Sequence, residues 1–415
     1  MIHQMASTGQ QALFQGSARG ALGIYAKSQA KPEKDLSLLR KFATQSAARR
    51  ILGPEFRTSL CMRAKSFQRC PEIWRENEGG ACHFKGLQTC GSVWSCPVCS
   101  AKVSEVRRAE LRAASEQHRA HGGHLMMWTF TTPHSEADDL SWLVRSQTAA
   151  LVKFWAHRSV KDLLAESGVI GKVRAFEVTH GRKRQVSNGW HPHFHYLIFI
   201  KAGAVIDLPS LEESLFDVWR KVCKKAGLKA PSSTHGLKVD NGQKAAEYVA
   251  KWGHEQQWGM HSEMTKSMIK TGKDKGETPF DLLRAFFDDP TDKQAAALFR
   301  EYSSVFRGKR QLTWSPGLKA SFDLEELSDE DIASGGDAVS VLLGSLSDDQ
   351  WRDVLHVDAR GQLLHIAEAS GWSGVELFCH VLSGVRDPLF VRFSASELDE
   401  LVSYAKQASP LTLDS

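Results

Sequence analysis

The chain has 415 residues, of which 42% are hydrophobic and 24% charged, with a formal net charge of +5. These values exclude wholesale disorder, a collagen-like repeat and a disulfide-stapled miniprotein, and the length allows two or three domains. No apolar run of roughly 18 residues predicts a membrane span, and no charged segment leading into an apolar one marks a secretory signal.

The small net charge hides a division. Residues 321–415 carry 5 Lys+Arg and 18 Asp+Glu, a net of −13, which leaves 48 Lys+Arg and 30 Asp+Glu, a net of +18, on residues 1–320. A basic body points to phosphate-bearing partners.

In chain order, residues 1–33 are rich in Gln, Gly, Ala and Ser and read as a loose arm. Leu36, Leu39, Phe42 and Ala43 share one face of a helix expected over 34–52. A cysteine-rich region follows, then a charged helix over 101–121 carrying Lys102, Glu105, Arg107, Arg108, Glu110 and Arg112. Strands are expected at His124–Thr132, Val173–Thr179, Phe194–Ile200 and Leu237–Val239. Helices are expected at Leu140–Ala156, Leu208–Ala226 and Gly242–Trp252. A polar turn joins the second and third strands over Gly181–Gly189. Phe194–Ile200 is apolar on both faces, which places it centrally in its sheet. The order β-α-β-β-α-β-α fits an α+β fold, an antiparallel sheet of the split βαβ kind with helices packed on one face. Residues 260–280 read as a basic loop with Lys266, Lys270, Lys273 and Lys275, followed by a helix over Phe280–Phe306. From Leu346 to Val385 the pattern is helical, with Gly361 and Gly371 as stops. The expected division is an arm and helix (1–54), a cysteine region with a basic helix (55–122), a central domain (123–320) and an acidic helical C-terminal domain (321–415).

Six of eight cysteines fall between Cys61 and Cys99. A disulfide framework is not expected without an oxidising compartment. Cys96-Pro-Val-Cys99 is a C-x-x-C turn, which lets two thiolates meet one tetrahedral zinc, and Cys90 is near enough to be a third ligand. Cys61, Cys70, Cys82 and His83 are all open as the fourth ligand. The set carried forward is Cys61, Cys90, Cys96 and Cys99, with Cys82 and His83 as accessory candidates.

The richest chemistry lies in Trp190-His191-Pro192-His193-Phe194-His195-Tyr196. Alternation along a strand projects His193 and His195 from one face, with His191 beside them. Two imidazoles on one face form a metal edge. Glu177 is the one acid in Val-Arg-Ala-Phe-Glu-Val-Thr, and a hairpin across Gly181–Gly189 would bring it to the histidines as a third ligand. Two histidines and a carboxylate leave coordination positions open and suit Mn²⁺ or Mg²⁺ acting on a phosphate. In Glu247-Tyr248-Val249-Ala250-Lys251-Trp252, Tyr248 and Lys251 stand i and i+3 on a helix and share a face. A phenol is a weak nucleophile until a cation or a polarised phosphate assists it.

His-Pro-His-Phe-His followed by Glu-Tyr-Val-Ala-Lys-Trp resembles the plasmid and phage rolling-circle replication initiators of the HUH endonuclease superfamily. Met126–His134 resembles their first motif. Phe306–Lys319 and Cys90–Cys99 resemble segments of one plasmid subgroup. The resemblance covers about residues 55–320, so 123–320 is expected to be the HUH endonuclease domain. It implies that Tyr248 attacks a phosphodiester at a plasmid or phage origin, forming a 5′-phosphotyrosine link and freeing a 3′-OH primer for rolling-circle DNA replication. It further implies that His193 and His195 hold the catalytic metal, that Lys251 assists Tyr248, and that the cysteines hold structural zinc. Origin DNA, single-stranded at the nick, is the expected partner in a bacterial cytoplasm. No G-x-x-x-x-G-K-[ST] loop is present to drive a helicase, so a host helicase and host replication proteins are expected too. Some relatives carry a second tyrosine four residues after the first. Here that position is Trp252, so the second transesterification needs another arrangement; a carboxylate activating water is one option, with Glu247 and Glu255 as candidates. Two other readings compete: a single-strand HUH transposase, and a non-catalytic zinc-ribbon DNA-binding regulator.

Overall fold

The computed structural model describes residues 33–67, 69–78, 80–183, 186–251, 276–335 and 339–383. The expected N-terminal arm, the basic loop with Lys266, Lys270, Lys273 and Lys275, Trp252, Glu255, the side chain of Lys251 and residues 384–415 lie outside what is described.

The elements run α1 (Glu33–Leu52), β1 (Glu72–Glu76), β2 (Cys82–Lys85), α2 (Pro97–Ala120), β3 (His124–Phe130), α3 (Leu140–Ala156), α4 (Arg158–Glu166), β4 (Val169–His180) and β5 (Trp190–Ile200). They continue with α5 (Leu208–Lys225), β6 (Leu237–Asp240), α6 (Gly242–Lys251), α7 (Pro279–Asp288), α8 (Lys293–Phe306), β7 (Leu312–Trp314), α9 (Asp329–Ser334), β8 (Ser340–Ser345), α10 (Asp348–His356) and α11 (Arg360–Ser383). The fold is α+β with antiparallel sheets.

Period-two alternation sorts the large sheet into two faces. Its strand order is β6-β3-β5-β4-β7, with β5 central. Trp128 and Phe130 of β3, Phe176 and Val178 of β4, and Phe194, Tyr196 and Ile198 of β5 enter one core with Leu143, Leu151 and Phe154 of α3 and Leu215 and Trp219 of α5. Burying side chains of this size contributes roughly 1.5–3 kcal/mol each. Leu125, Val173, Ala175, Leu197 and Phe199 face the other way, onto Leu111 and Ala114 of α2 and Ala245 and Val249 of α6. Helices therefore cover both faces, not one as the strand order predicts: α2, which precedes the sheet in the chain, and α6, which follows β6, both pack on the second face. The β4–β5 register sets Glu177 opposite His193 and Ala175 opposite His195, and β3–β5 sets Thr129 opposite His195.

A second antiparallel sheet, β2-β1-β8, joins the cysteine region to the C-terminal region. Its core mixes Phe42, Ile73, Cys82 and Phe84 with Trp351, Val354, Leu363, Ile366 and Phe378. Residues 321–383 are thus not purely helical. The short strand β8 was hidden because its residues, Ser340–Ser345, mix serine and glycine with leucine.

Two expected helices divide. Phe280–Phe306 splits into α7 and α8 at Asp289–Asp292, because Pro290 bars a continuous helix and Asp292 caps α8, its side chain accepting from the Ala295 N–H. Leu346–Val385 splits where Asp358 adopts a left-handed φ of 57°. Gly361 is not a stop. It lies in the first turn of α11, where a Cβ would sit 3.0 Å from the Leu39 Cα of α1. Gly371, with φ 68°, does kink α11.

Candidate active site and metal centre

The sheet face opposite the aromatic core carries the histidines. Glu177 of β4 and His193 and His195 of β5 offer an oxygen and two nitrogens that all lie within 4.8 Å of one another. The Glu177 Oε2 is 3.4 Å from His193 Nε2 and 3.7 Å from His195 Nε2. The other carboxylate oxygen, Oε1, accepts a hydrogen bond from the Tyr248 hydroxyl at 2.8 Å. The Tyr248 ring lies 5.0 Å from the His195 ring, centroid to centroid.

Hydrogen bonding fixes which imidazole atoms point inward. His193 Nδ1 is 3.1 Å from the carbonyl of His191, and a carbonyl only accepts, so Nδ1 carries the proton. His193 Nε2 then faces Glu177. His195 Nδ1 lies 2.9 Å from Thr129 Oγ1 on the neighbouring strand, a hydroxyl that can donate or accept. Burial drives His195 down to about 4, against the opposing pull of Glu177, so its ring is neutral at physiological pH. Burial pushes the Glu177 carboxyl up, but the His193 hydrogen bond and the charges of His195 and His193 outweigh it and hold the group at about 2. One carboxylate oxygen and two imidazole nitrogens thus converge on one point. Two nitrogens with one oxygen are a ligand set that suits a divalent ion. These residues fit a metal.

His191 stands beside the group, its ring 4.9 Å from that of His193. Glu247 is exposed on α6 and outside the metal-competent group, and of Lys251 only the helical backbone is described. Trp190, which precedes the histidines on β5, is 3% exposed and donates to Glu301 at 2.9 Å. It belongs to the core, as does Phe194.

The cysteines converge within the aromatic core cluster itself. Cys61, Cys90, Cys96 and Cys99 are all buried, and their sulfurs lie within 4.8 Å of one another. The Cys61–Cys99, Cys61–Cys96 and Cys90–Cys99 separations are 3.5, 3.6 and 3.7 Å. A disulfide requires about 2.05 Å, whereas a tetrahedron with metal–sulfur bonds near 2.3 Å has sulfur–sulfur edges of about 3.8 Å. The spacing fits a tetrathiolate metal such as zinc. Cys96 is the N-cap of α2 and Cys99 lies in its first turn, so the positive end of the helix faces the sulfurs. The Ser92 N–H points at Cys90 Sγ across 3.5 Å. Cys70, Cys82 and His83 are not in the group: Cys70 is exposed, while Cys82 and His83 sit on β2 in the other sheet.

Three contacts escaped the sequence. Thr129 reaches His195 only through the β3–β5 register. His134, after β3, places Nδ1 3.3 Å from His191 Nδ1. Beyond β4, Arg182 binds Glu277 at 2.7 Å and Asp292 at 2.8 Å, with Arg182 and Glu277 both under a tenth exposed. Glu277 also pairs its backbone with His180 in both directions at 2.8 Å. This cluster ties the end of β4 to the segment entering α7.

A family model described as "Replication protein" matches residues 83–342. The chain belongs to this replication protein family. The match takes in Cys90, Cys96, Cys99, the histidine strand and Tyr248, and begins after Cys61. A similar curated protein is "Protein rep" of Streptomyces lividans, 26% identical over 333 residues, covering 64% of this chain and 71% of its own length. Another is the "Neomycin resistance protein" of Streptomyces cyanogenus, 29% identical over 152 residues, or 31% of this chain and 34% of that protein. No solved structure matches. Among the described residues of this replication protein, no helix is long and apolar enough to cross a membrane.

Proposed function

We propose that this replication protein initiates plasmid replication by nicking one strand of origin DNA, with Tyr248 as the nucleophile. The observation that carries the reading is the division of Glu177: one oxygen holds the Tyr248 hydroxyl and the other faces the two histidine Nε2 atoms. Nucleophile and metal-competent group are therefore joined through a single side chain. A carboxylate held near 2 orients the phenol instead of taking its proton at rest.

In this reading His193, His195 and Glu177 hold Mn²⁺ or Mg²⁺, and Lys251 lends positive charge beside Tyr248. A bound divalent ion would polarise the scissile phosphate and stabilise charge on its oxygens. The Tyr248 oxygen forms a bond to phosphorus as the bond to the 3′ oxygen breaks, and the phenolic proton leaves to solvent. The products are a 5′-phosphotyrosine and a free 3′-OH. One phosphodiester is exchanged for another, so no ATP is required. The reading takes origin DNA to be single-stranded at the nick and host helicase and replication proteins to extend the primer. Cys61, Cys90, Cys96 and Cys99 hold structural zinc.

The test is nicking of a supercoiled plasmid bearing its origin, with Mn²⁺ present. The wild-type protein is expected to leave a covalent adduct that resists denaturing electrophoresis, and Tyr248→Phe to leave none. Trp252→Phe should behave as wild type. An adduct from the Tyr248→Phe protein would overturn the assignment, and no nick with any divalent metal would favour a DNA-binding regulator.

A further inference from the structure

Arg360 is the first residue of α11 and is 0% exposed. Two general rules oppose a cation there. Full burial strips its hydration, and the first turn of a helix is the positive end of the dipole. Its charged partners compensate it only in part. Arg360 Nη2 meets Asp358 Oδ1 at 3.1 Å, but Arg63 meets the same oxygen at 2.5 Å. Two guanidinium groups thus share one carboxylate, leaving one positive charge in excess.

The excess lies beside the cysteine group. Arg360 Nη1 donates to Gln45 Oε1 at 2.5 Å, and Gln45 is itself 1% exposed. Gln45 Nε2 in turn donates to the Cys61 carbonyl at 2.8 Å and points at Cys96 Sγ across 3.7 Å. Burial and Arg63 pull Arg360 down to about 10, and Asp358 and Cys61 oppose them. Four thiolates around one divalent ion carry two negative charges, which is the countercharge this buried cation lacks.

We infer that Arg360, acting through Gln45, is a positioning residue for the tetrathiolate metal, so that the C-terminal region completes a centre whose ligands all lie between residues 61 and 99. This rests on the cysteine group holding a metal. The amide dipole of Gln45, oriented by the guanidinium, directs its N–H at Cys96 and holds the Cys61 backbone. The charge of Arg360 lowers the energy of the thiolate form.

The experiment uses the full-length protein loaded with Co²⁺ or Zn²⁺. Cobalt reports through its thiolate charge-transfer and d–d bands, and zinc through its rate of transfer to a chromogenic chelator. Arg360→Met and Gln45→Met are expected to release metal about 10–100-fold faster, the usual effect of losing an outer-shell partner, and to shift the cobalt bands. Arg360→Lys should recover part of the loss by restoring the charge. Leu363→Ala, fully buried on the same helix but with an apolar side chain that makes none of the relay's hydrogen bonds, serves as the packing control. It should lower the melting temperature without altering the bands. Release by Arg360→Met at the wild-type rate, or equal effects of Arg360→Met and Leu363→Ala, would overturn the inference. Should Arg360→Met not fold, Arg360→Lys and Gln45→Met decide it by the same two readouts. Failure of the wild-type protein to develop a cobalt–thiolate band would refute the metal centre itself, and the inference with it.

Discussion

Glu177 has two oxygens and a separate partner for each, so its substitutions should separate two functions. Glu177→Gln keeps an oxygen able to accept from Tyr248 but removes the charge facing His193 and His195. It is expected to weaken Mn²⁺ binding at least about tenfold, measured by titration with paramagnetic detection, since ligand charge sets affinity for hard cations. Thr129→Val removes the hydroxyl that hydrogen-bonds His195 Nδ1 and holds its ring. Loss of such a partner typically costs roughly 10–100-fold in metal affinity, and equal affinities for Thr129→Val and wild type would refute the role. His195 also sets a pH dependence. Its folded pKa, about 4, lies below the ordinary imidazole value of 6.5, so between those limits the unfolded chain binds more protons. Stability of the metal-free protein should therefore fall as pH drops from 6.5 towards 4, and His195→Gln should flatten that slope in thermal melts. The histidines and Glu177 were legible because strand alternation needs only neighbours in sequence. Thr129 was not, because hydroxyls are common in strands and its contact depends on the register between β3 and β5.

Elements were most readable where one side-chain period persisted, as in α3, α5 and β5. They were least readable where a single residue changes the path. Pro290 and Asp292 divide α7 from α8, yet the apolar periodicity of Phe280–Phe306 runs on through the break. Gly361 looked like a terminator because glycine so often ends helices. Its place is set instead by close packing, with α1 backbone against α11. Gly361→Val should force the two helices apart and cost about 1–3 kcal/mol, the usual range for overpacking. Denaturant unfolding would show this as a lower midpoint with an unchanged slope, and an unchanged midpoint would contradict it.

At the scale of the whole molecule, the charge division acquires a structural account. Acidic residues of 329–358 lie on basic residues of 57–107: Asp329 on Arg107, Glu330 near Arg57, Asp348 on Lys65 and Asp358 on Arg63. The exposed pairs contribute little each, but the pattern brings opposite ends of the sequence together. Apolar packing does the rest, since Phe42, Ile73 and Phe84 share a core with Trp351 and Leu363. A chain ending at residue 338 would lose β8, α10 and α11. It should expose that core, bind a hydrophobic dye and lose its cooperative melt. None of this was visible in the sequence, where a strong change in composition near residue 321 looks like a border. Composition records where charge lies along the chain and carries no information about which distant strand it will meet.

The pairing of β1 with β8 also has a consequence in time. Glu72 lies opposite Ser345, some 270 residues further along the chain. At roughly 5–20 residues per second of synthesis, that interval lasts about 15–50 s. Throughout it β1 has β2 on one side and a bare row of amides on the other, the kind of edge that recruits strands from neighbouring chains. All four cysteines, by contrast, have emerged once Cys99 is made. A nascent polypeptide of this protein therefore passes through a stage in which its metal ligands are present and its sheet is open. Slowing translation beyond residue 100 should lengthen that stage and lower the soluble yield.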